Sequence, residues 1–248
     1  MRKSTHFKLL IVGVLLITCY NLLAQDSAVT WDYPIKPGSK EWKSLPDFID
    51  RLSLLNIPID QLKLTSTDQL AKICLDYPFF GLVFTRNNLQ QGYEFIRNNF
   101  NGFRELESRP DAARCLLKEY EKMNPAGFMS KSSPEEIGEY MAQFTFIELL
   151  LAQYTTLNNI NEDTKKRLIE VALEKFKGKS VIKSYGIDGL STTAFIMGRI
   201  ISGLDNNFPN LNNEERLEIQ EFLNNCSVKK FELLETIVKQ TESYIRNE

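Results

Sequence analysis

Two charged side chains stand alone in apolar surroundings, and each could do chemistry. Glu148 is the only charged residue between Glu139 and Glu162. At 100° per residue it falls on the helical face made by Ile137, Met141, Phe144 and Leu151. A carboxylate on such a face must be paired, protonated or open to a cleft. In a cleft, with its pKa raised, it would serve as a general acid or hold a ligand. Glycan hydrolysis would need a second carboxylate about 5–10 Å away. Arg199 is the second such residue, the only charge between Asp188 and Asp205. Its helix repeats Ala194, Gly198 and Ser202 every four residues, a small-residue strip where another helix can approach closely. If the two helices pack together, Arg199 is the natural partner of Glu148. A buried ion pair fixing helix register is the plain structural account of both.

Two further groups suit ligand binding rather than catalysis. The stretch 85–104 is crowded with Asn87, Asn88, Gln90, Gln91, Asn98, Asn99 and Asn101, with Arg86, Arg97 and Arg104 among them. Amides and guanidinium groups recognise sugar hydroxyls or peptide backbone, although helix caps and a solvated face use the same residues. Trp31, Tyr33 and Trp42 could form an aromatic platform for sugar rings, or could simply dock a terminal arm on a helical core.

Much chemistry is excluded. The single histidine of the 248 residues is His6, so nothing beyond it can run a histidine-dependent triad or build a histidine metal site. There is no phosphate-binding glycine loop, no dinucleotide fingerprint and no nucleophile elbow. The loop from Asp205 is superficially calcium-like, but Asn210 stands where glycine belongs and Arg216 where the bidentate glutamate should be. No catalytic residue, metal site or cofactor is therefore assigned. With a net charge of −2 and no basic stripe, nucleic acid is not an expected partner.

The N-terminus has the layout of an export signal. Arg2, Lys3 and Lys8 precede the apolar run Leu9–Ile17, and the segment closes at Ala24 before Gln25. Cleavage after Ala24 would remove His6 together with three basic side chains, leaving a more acidic mature chain. A lipid anchor at Cys19 is the rival reading, weakened by Thr18 before it and by the apolar residues that continue after it. No later apolar run is long enough to span a bilayer. Cys74, Cys115 and Cys226 remain, and an odd number allows one disulfide at most; buried free thiols are the simpler reading, with the pairing left open.

These residues must be positioned by helices. Residues 25–39 read as an extended arm fixed by Pro34 and Pro37. Residues 40–248 read as an all-α domain, with a candidate subdomain boundary at 124–132. Pro46 and Pro58 suit the first turns of helices to Leu55 and after it. Ser66 with Gln69 makes a capping box, and Ser133-Pro134-Glu135-Glu136 is a strong helix start. Further helices are expected over 88–100, 111–123, 133–157, 163–177, 191–204, 213–224 and 228–246. No stretch alternates with period two and no fixed repeat is present, so the expected architecture is an irregular helical-hairpin bundle or solenoid of nine or ten helices.

Residues 31–122 also carry a family resemblance. Trp31-Asp32-Tyr33-Pro34-Ile35-Lys36-Pro37-Gly38 with Glu41-Trp42, then Leu75-Asp76-Tyr77-Pro78, Asn87-Asn88-Leu89-Gln90-Gln91-Gly92, Asn101-Gly102-Phe103-Arg104-Glu105-Leu106 and Asp111-Ala112-Ala113 resemble segments of uncharacterised exported helical proteins of Bacteroidetes. The resemblance implies an exported, helical protein and assigns no site residue. The expectation is thus an exported, non-enzymatic helical protein that binds another envelope or extracellular protein or glycan. Its alternatives are a sugar- or peptide-binding module, or a carboxylate-dependent glycan hydrolase with Glu148 as acid. Trp31, Trp42, Glu148 and Arg199 are the candidate ligand-binding residues.

Overall fold

The structure, a computed structural model, describes residues 31–45, 47–204, 208 and 211–247. The signal segment, the Ala24 cleavage point and the Cys19 alternative lie outside the described residues, as does most of the loop 205–210. Among the described residues the fold is all-α, with thirteen α-helices and no strand. Nine of the thirteen are eight residues or longer, in keeping with the nine or ten expected.

The arm from Trp31 leads into two short helices, α1 (Lys40–Ser44) and α2 (Phe48–Ser53). Tyr33 is buried and its hydroxyl donates to the Ile73 carbonyl at 2.6 Å, which ties the arm to the next helix pair. That pair is α3 (Ile59–Leu64) and α4 (Thr67–Leu75), the second opened by the Ser66–Gln69 capping box. A 3₁₀ turn, Phe80–Thr85, precedes α5 (Leu89–Asn99). Gly92 lets α5 sit directly on that turn, because a Cβ there would lie 2.0 Å from the Val83 carbonyl oxygen.

After a break at Phe100 comes α6 (Asn101–Ser108), a helix the sequence pattern did not reveal. Its first residue acts as a clasp. Asn101 accepts from the Ile57 amide at 2.9 Å and donates to the Ile57 carbonyl at 2.7 Å, so its one side chain mimics both ends of a peptide group. Helix α7 (Ala112–Lys122) follows.

The segment 124–132 holds a second 3₁₀ turn, Gly127–Ser130. Tyr140 and Tyr185 donate to the carbonyls of Asn124 and Pro125 at 2.7 and 2.8 Å. The hydrophobic core runs without interruption from Tyr33 to Ile237.

Helix α8 (Pro134–Leu151) starts where expected, after Ser133, which forms a capping box with Glu136, and Pro134 lies in its first turn. It does not run on to Leu157. It stops at Ala152, and a separate short helix α9 (Tyr154–Asn158) follows. The break carries neither Gly nor Pro. Instead the Gln153 amide folds back on the Leu149 carbonyl at 2.7 Å, stabilising the helix end through a side chain.

Helices α10 (Glu162–Ser180) and α11 (Gly186–Ser202) pack closely along each other, and α11 also meets α8 and α13. Gly186, at φ +56°, takes the turn into α11 and starts that helix earlier than Ser191 suggested. From Leu190 to Ile201 every residue of α11 is buried, as is every residue of α8 from Phe144 onward. These two helices form the centre of the molecule. Helices α12 (Asn213–Asn225) and α13 (Phe231–Asn247) close it, with Gly198 admitting the side chains of Leu223 and Ile237 where the small-residue strip foresaw a close approach. No described helix is long and apolar enough to cross a membrane.

Candidate functional site

Glu148 is completely buried, and its partner is not Arg199. Lys179, at the end of α10, donates to its Oε2 at 2.7 Å, with both side chains at zero exposure. The rest of the carboxylate is filled. Tyr120 and Thr193 donate to Oε1, each at 2.7 Å, and Thr192 donates to Oε2 at 2.5 Å. Lys179 is likewise saturated, donating to the Gly189 carbonyl and to Thr193, and resting 4.2 Å from the centre of the Phe144 ring. Burial draws the Lys179 pKa down, and the Glu148 charge opposes that fall. Burial also lifts the Tyr120 hydroxyl far above its usual range, with the Glu148 charge adding to it. A carboxylate with four donors and no exposed surface has no vacant lone pair for a substrate. Its environment is that of an ion pair joining α7, α8, α10 and α11.

A hollow of about 610 Å³ lies beside this pair. Gly189 and Tyr185, which both touch Lys179, line it together with Met141, Leu89 and Val228. Glu148 itself does not reach it.

Arg199 is also buried, but it meets no carboxylate. Its Nε donates to the Leu223 carbonyl at 3.0 Å, one terminal nitrogen to the Ala152 carbonyl at 2.8 Å, and the other to Gln90 Oε1 at 3.3 Å. The guanidinium therefore satisfies the end of α8 and the last turn of α12, and it lies 4.3 Å from the centre of the Tyr154 ring. Burial pulls its pKa down to about 10, so it stays cationic at neutral pH.

This arginine forms the back of a polar cleft of about 380 Å³. Gln90 and Gln153 exchange hydrogen bonds in its floor, and Gln90 also donates to Glu94 at 3.2 Å. On the wall, Glu107 accepts two bonds from Arg97 at 2.8 and 2.9 Å, and a short one from the buried Tyr93 hydroxyl. Asn98, Tyr154 and Thr155 complete the lining. The amide-rich segment and Arg199, far apart in sequence, thus meet at one site.

Sequence reasoning missed five contributors to this arrangement, Glu94, Glu107, Gln153, Tyr154 and Thr155. Glu107 lies within an ordinary amphipathic pattern, and Gln153 and Tyr154 are concealed in what read as one continuous helix. The amide at 153 was the one available signal, as the first hydrogen-bonding side chain after the apolar stretch Leu149–Ala152.

The tryptophans do not form an open platform. Trp42 is buried, with its ring 4.7 Å from that of Phe79 and the Arg51 guanidinium 5.1 Å above it. Trp31 is half-buried against the core. Cys74, Cys115 and Cys226 are all buried and unpaired. Among the described residues no cluster of three or more His, Cys, Asp or Glu could hold a metal ion. Family models, curated proteins and solved structures provide no match to the chain.

Proposed function

We propose that the chain is an exported binding protein without catalysis of its own, which receives an envelope or extracellular macromolecule at the cleft in front of Arg199. The observation that supports this most is the floor of the cleft. Gln90, Gln153 and Arg199 hold one another in fixed rotamers before any ligand arrives, and such pre-ordering lowers the cost of binding. The export assignment rests on the N-terminal charge and hydropathy pattern and on the family resemblance over residues 31–122. The hydrolase alternative loses its acid, because Glu148 is sealed and fully bonded.

A cross-linked pull-down from the native cell envelope tests the proposal, with captured protein and glycan both analysed. The expected result is a stoichiometric ligand whose recovery falls when Asn98 and Thr155 are replaced by bulky side chains. Equal recovery by wild type and the cleft variants would remove the cleft as the binding site.

A further inference from the structure

We propose that the groove runs past Tyr154 and takes a neutral oligosaccharide, with the tyrosine ring as the platform between two sugar sites; this rests on the binding role proposed for the cleft. A second hollow, of about 430 Å³, shares Tyr154 with the cleft, the tyrosine lining both. Each has the volume of a small-molecule site, about 300–1,000 Å³. Together they make an elongated receptor in place of a single pocket.

The chemistry of the lining narrows the occupant. Tyr154 is 43 % exposed and is backed by the Arg199 guanidinium, which fixes the ring as a presented surface. The apolar C–H face of a sugar packs on such a ring, while its hydroxyls need donors and acceptors at the edges. Those edges are supplied by Asn98 and Thr155 on one side and by Gln220 and Asn224 on the other. Amides offer paired donor and acceptor groups, which match neighbouring hydroxyls.

Charge argues for a neutral ligand. Glu107 is neutralised by Arg97, and Arg199 is already occupied by carbonyl and amide oxygens. Glu94 and Arg216 remain as exposed charges of opposite sign, one in each hollow. An extended peptide is less well served, since no described strand offers an edge for ladder pairing.

The test is calorimetric titration of the full mature chain with unbranched neutral hexose oligosaccharides, α- and β-linked, from the monosaccharide upward. Affinity should rise about tenfold or more once the oligosaccharide is long enough to occupy both hollows. Tyr154→Ala should lower affinity about tenfold, whereas Tyr154→Phe, which keeps the ring, should stay within about threefold. Asn98→Ala and Gln220→Ala should each weaken the long chain, with circular dichroism confirming unchanged helix content. Failure to bind any neutral oligosaccharide, or binding indifferent to these substitutions, overturns the proposal. Capture of an acidic glycan or a protein through the same residues also overturns it, but leaves the cleft's binding role standing. Indifference of every captured ligand to the cleft residues defeats that role too.

Discussion

Around Glu148 a buried charge meets its opposite; around Arg199 it meets only dipoles. The first arrangement closes on itself. Carboxylate and ammonium exhaust each other's bonding capacity with the help of three hydroxyls and a carbonyl, so no polar capacity is left for an outside molecule. The second is open. The guanidinium spends its donors on two helix ends and one amide, and the groups it holds in place face a cleft. The difference teaches that a lone charge in an apolar helix marks a constrained polar centre without saying whether that centre is architecture or the back wall of a site. What decides is whether its partners are themselves sealed.

The sharpest break between the two centres is Glu148→Gln. It leaves Lys179 buried without its counter-ion and should cost about 3–5 kcal/mol in denaturant unfolding. Ligand affinity of the surviving folded protein should not move. Lys179→Met should cost as much alone, and the double variant Glu148→Gln/Lys179→Met should cost clearly less than the sum, which a double-mutant cycle would read.

Arg199→Met comes next, at about 2 kcal/mol, because two backbone carbonyls and Gln90 lose a donor. Unlike the Glu148 variant it should also weaken binding at the cleft, measured by the same titration. If stability alone changes, the contrast between the two centres fails.

A smaller effect comes from Cys226, which feels both centres. Burial raises its thiol to about 12 from an ordinary 9.0, with the Arg199 charge opposing the shift and the Glu148 charge adding to it. Below pH 9 the thiol is protonated whether the chain is folded or not. Above it only the unfolded chain ionises, so stability should fall as pH rises from 9 towards 12, at up to about 1.4 kcal/mol per pH unit from this group. Unfolding curves at pH 8, 9 and 10 for wild type and Cys226→Ala would show the slope and its reduction. Gly198→Ala should have the least effect, within about 1 kcal/mol. The added Cβ would lie 2.8 Å from a Leu223 methyl group that can rotate away, and the helix gains from losing a glycine.

The sequence carried the helix starts more clearly than the ends. Ser66–Gln69 and Ser133–Glu136 are local devices, legible because a cap needs only residues three positions apart. The end of α8 was hidden because a side chain makes it, through Gln153 and its contacts with Leu149 and Gln90. Glu148 and Arg199 were both recognisable as buried, but their pairing was misread. Lys179 belongs to a stretch with Glu174, Lys175 and Lys177 that looks like a solvated face, and only the packing of α10 on α11 turns it inward. Trp42 and Tyr154 exchanged roles for a similar reason. Aromaticity is visible in sequence, whereas which rings become covered depends on distant partners such as Phe79 and Arg199.

The Asn101 clasp has a consequence for chemical ageing. Asn101 is followed by Gly102, the dipeptide most open to succinimide formation, because glycine offers no side chain to obstruct attack of its nitrogen on the amide carbon. In the native fold both ends of that amide are held by Ile57 and the following backbone is helical, so the attacking geometry is withheld. Once the clasp opens, the amide is free to cyclise and hydrolyse, gaining a negative charge. The Asn101–Gly102 bond is therefore a chemical clock that runs only while this part of the chain is unfolded, and the fraction deamidated records how long each molecule has spent there.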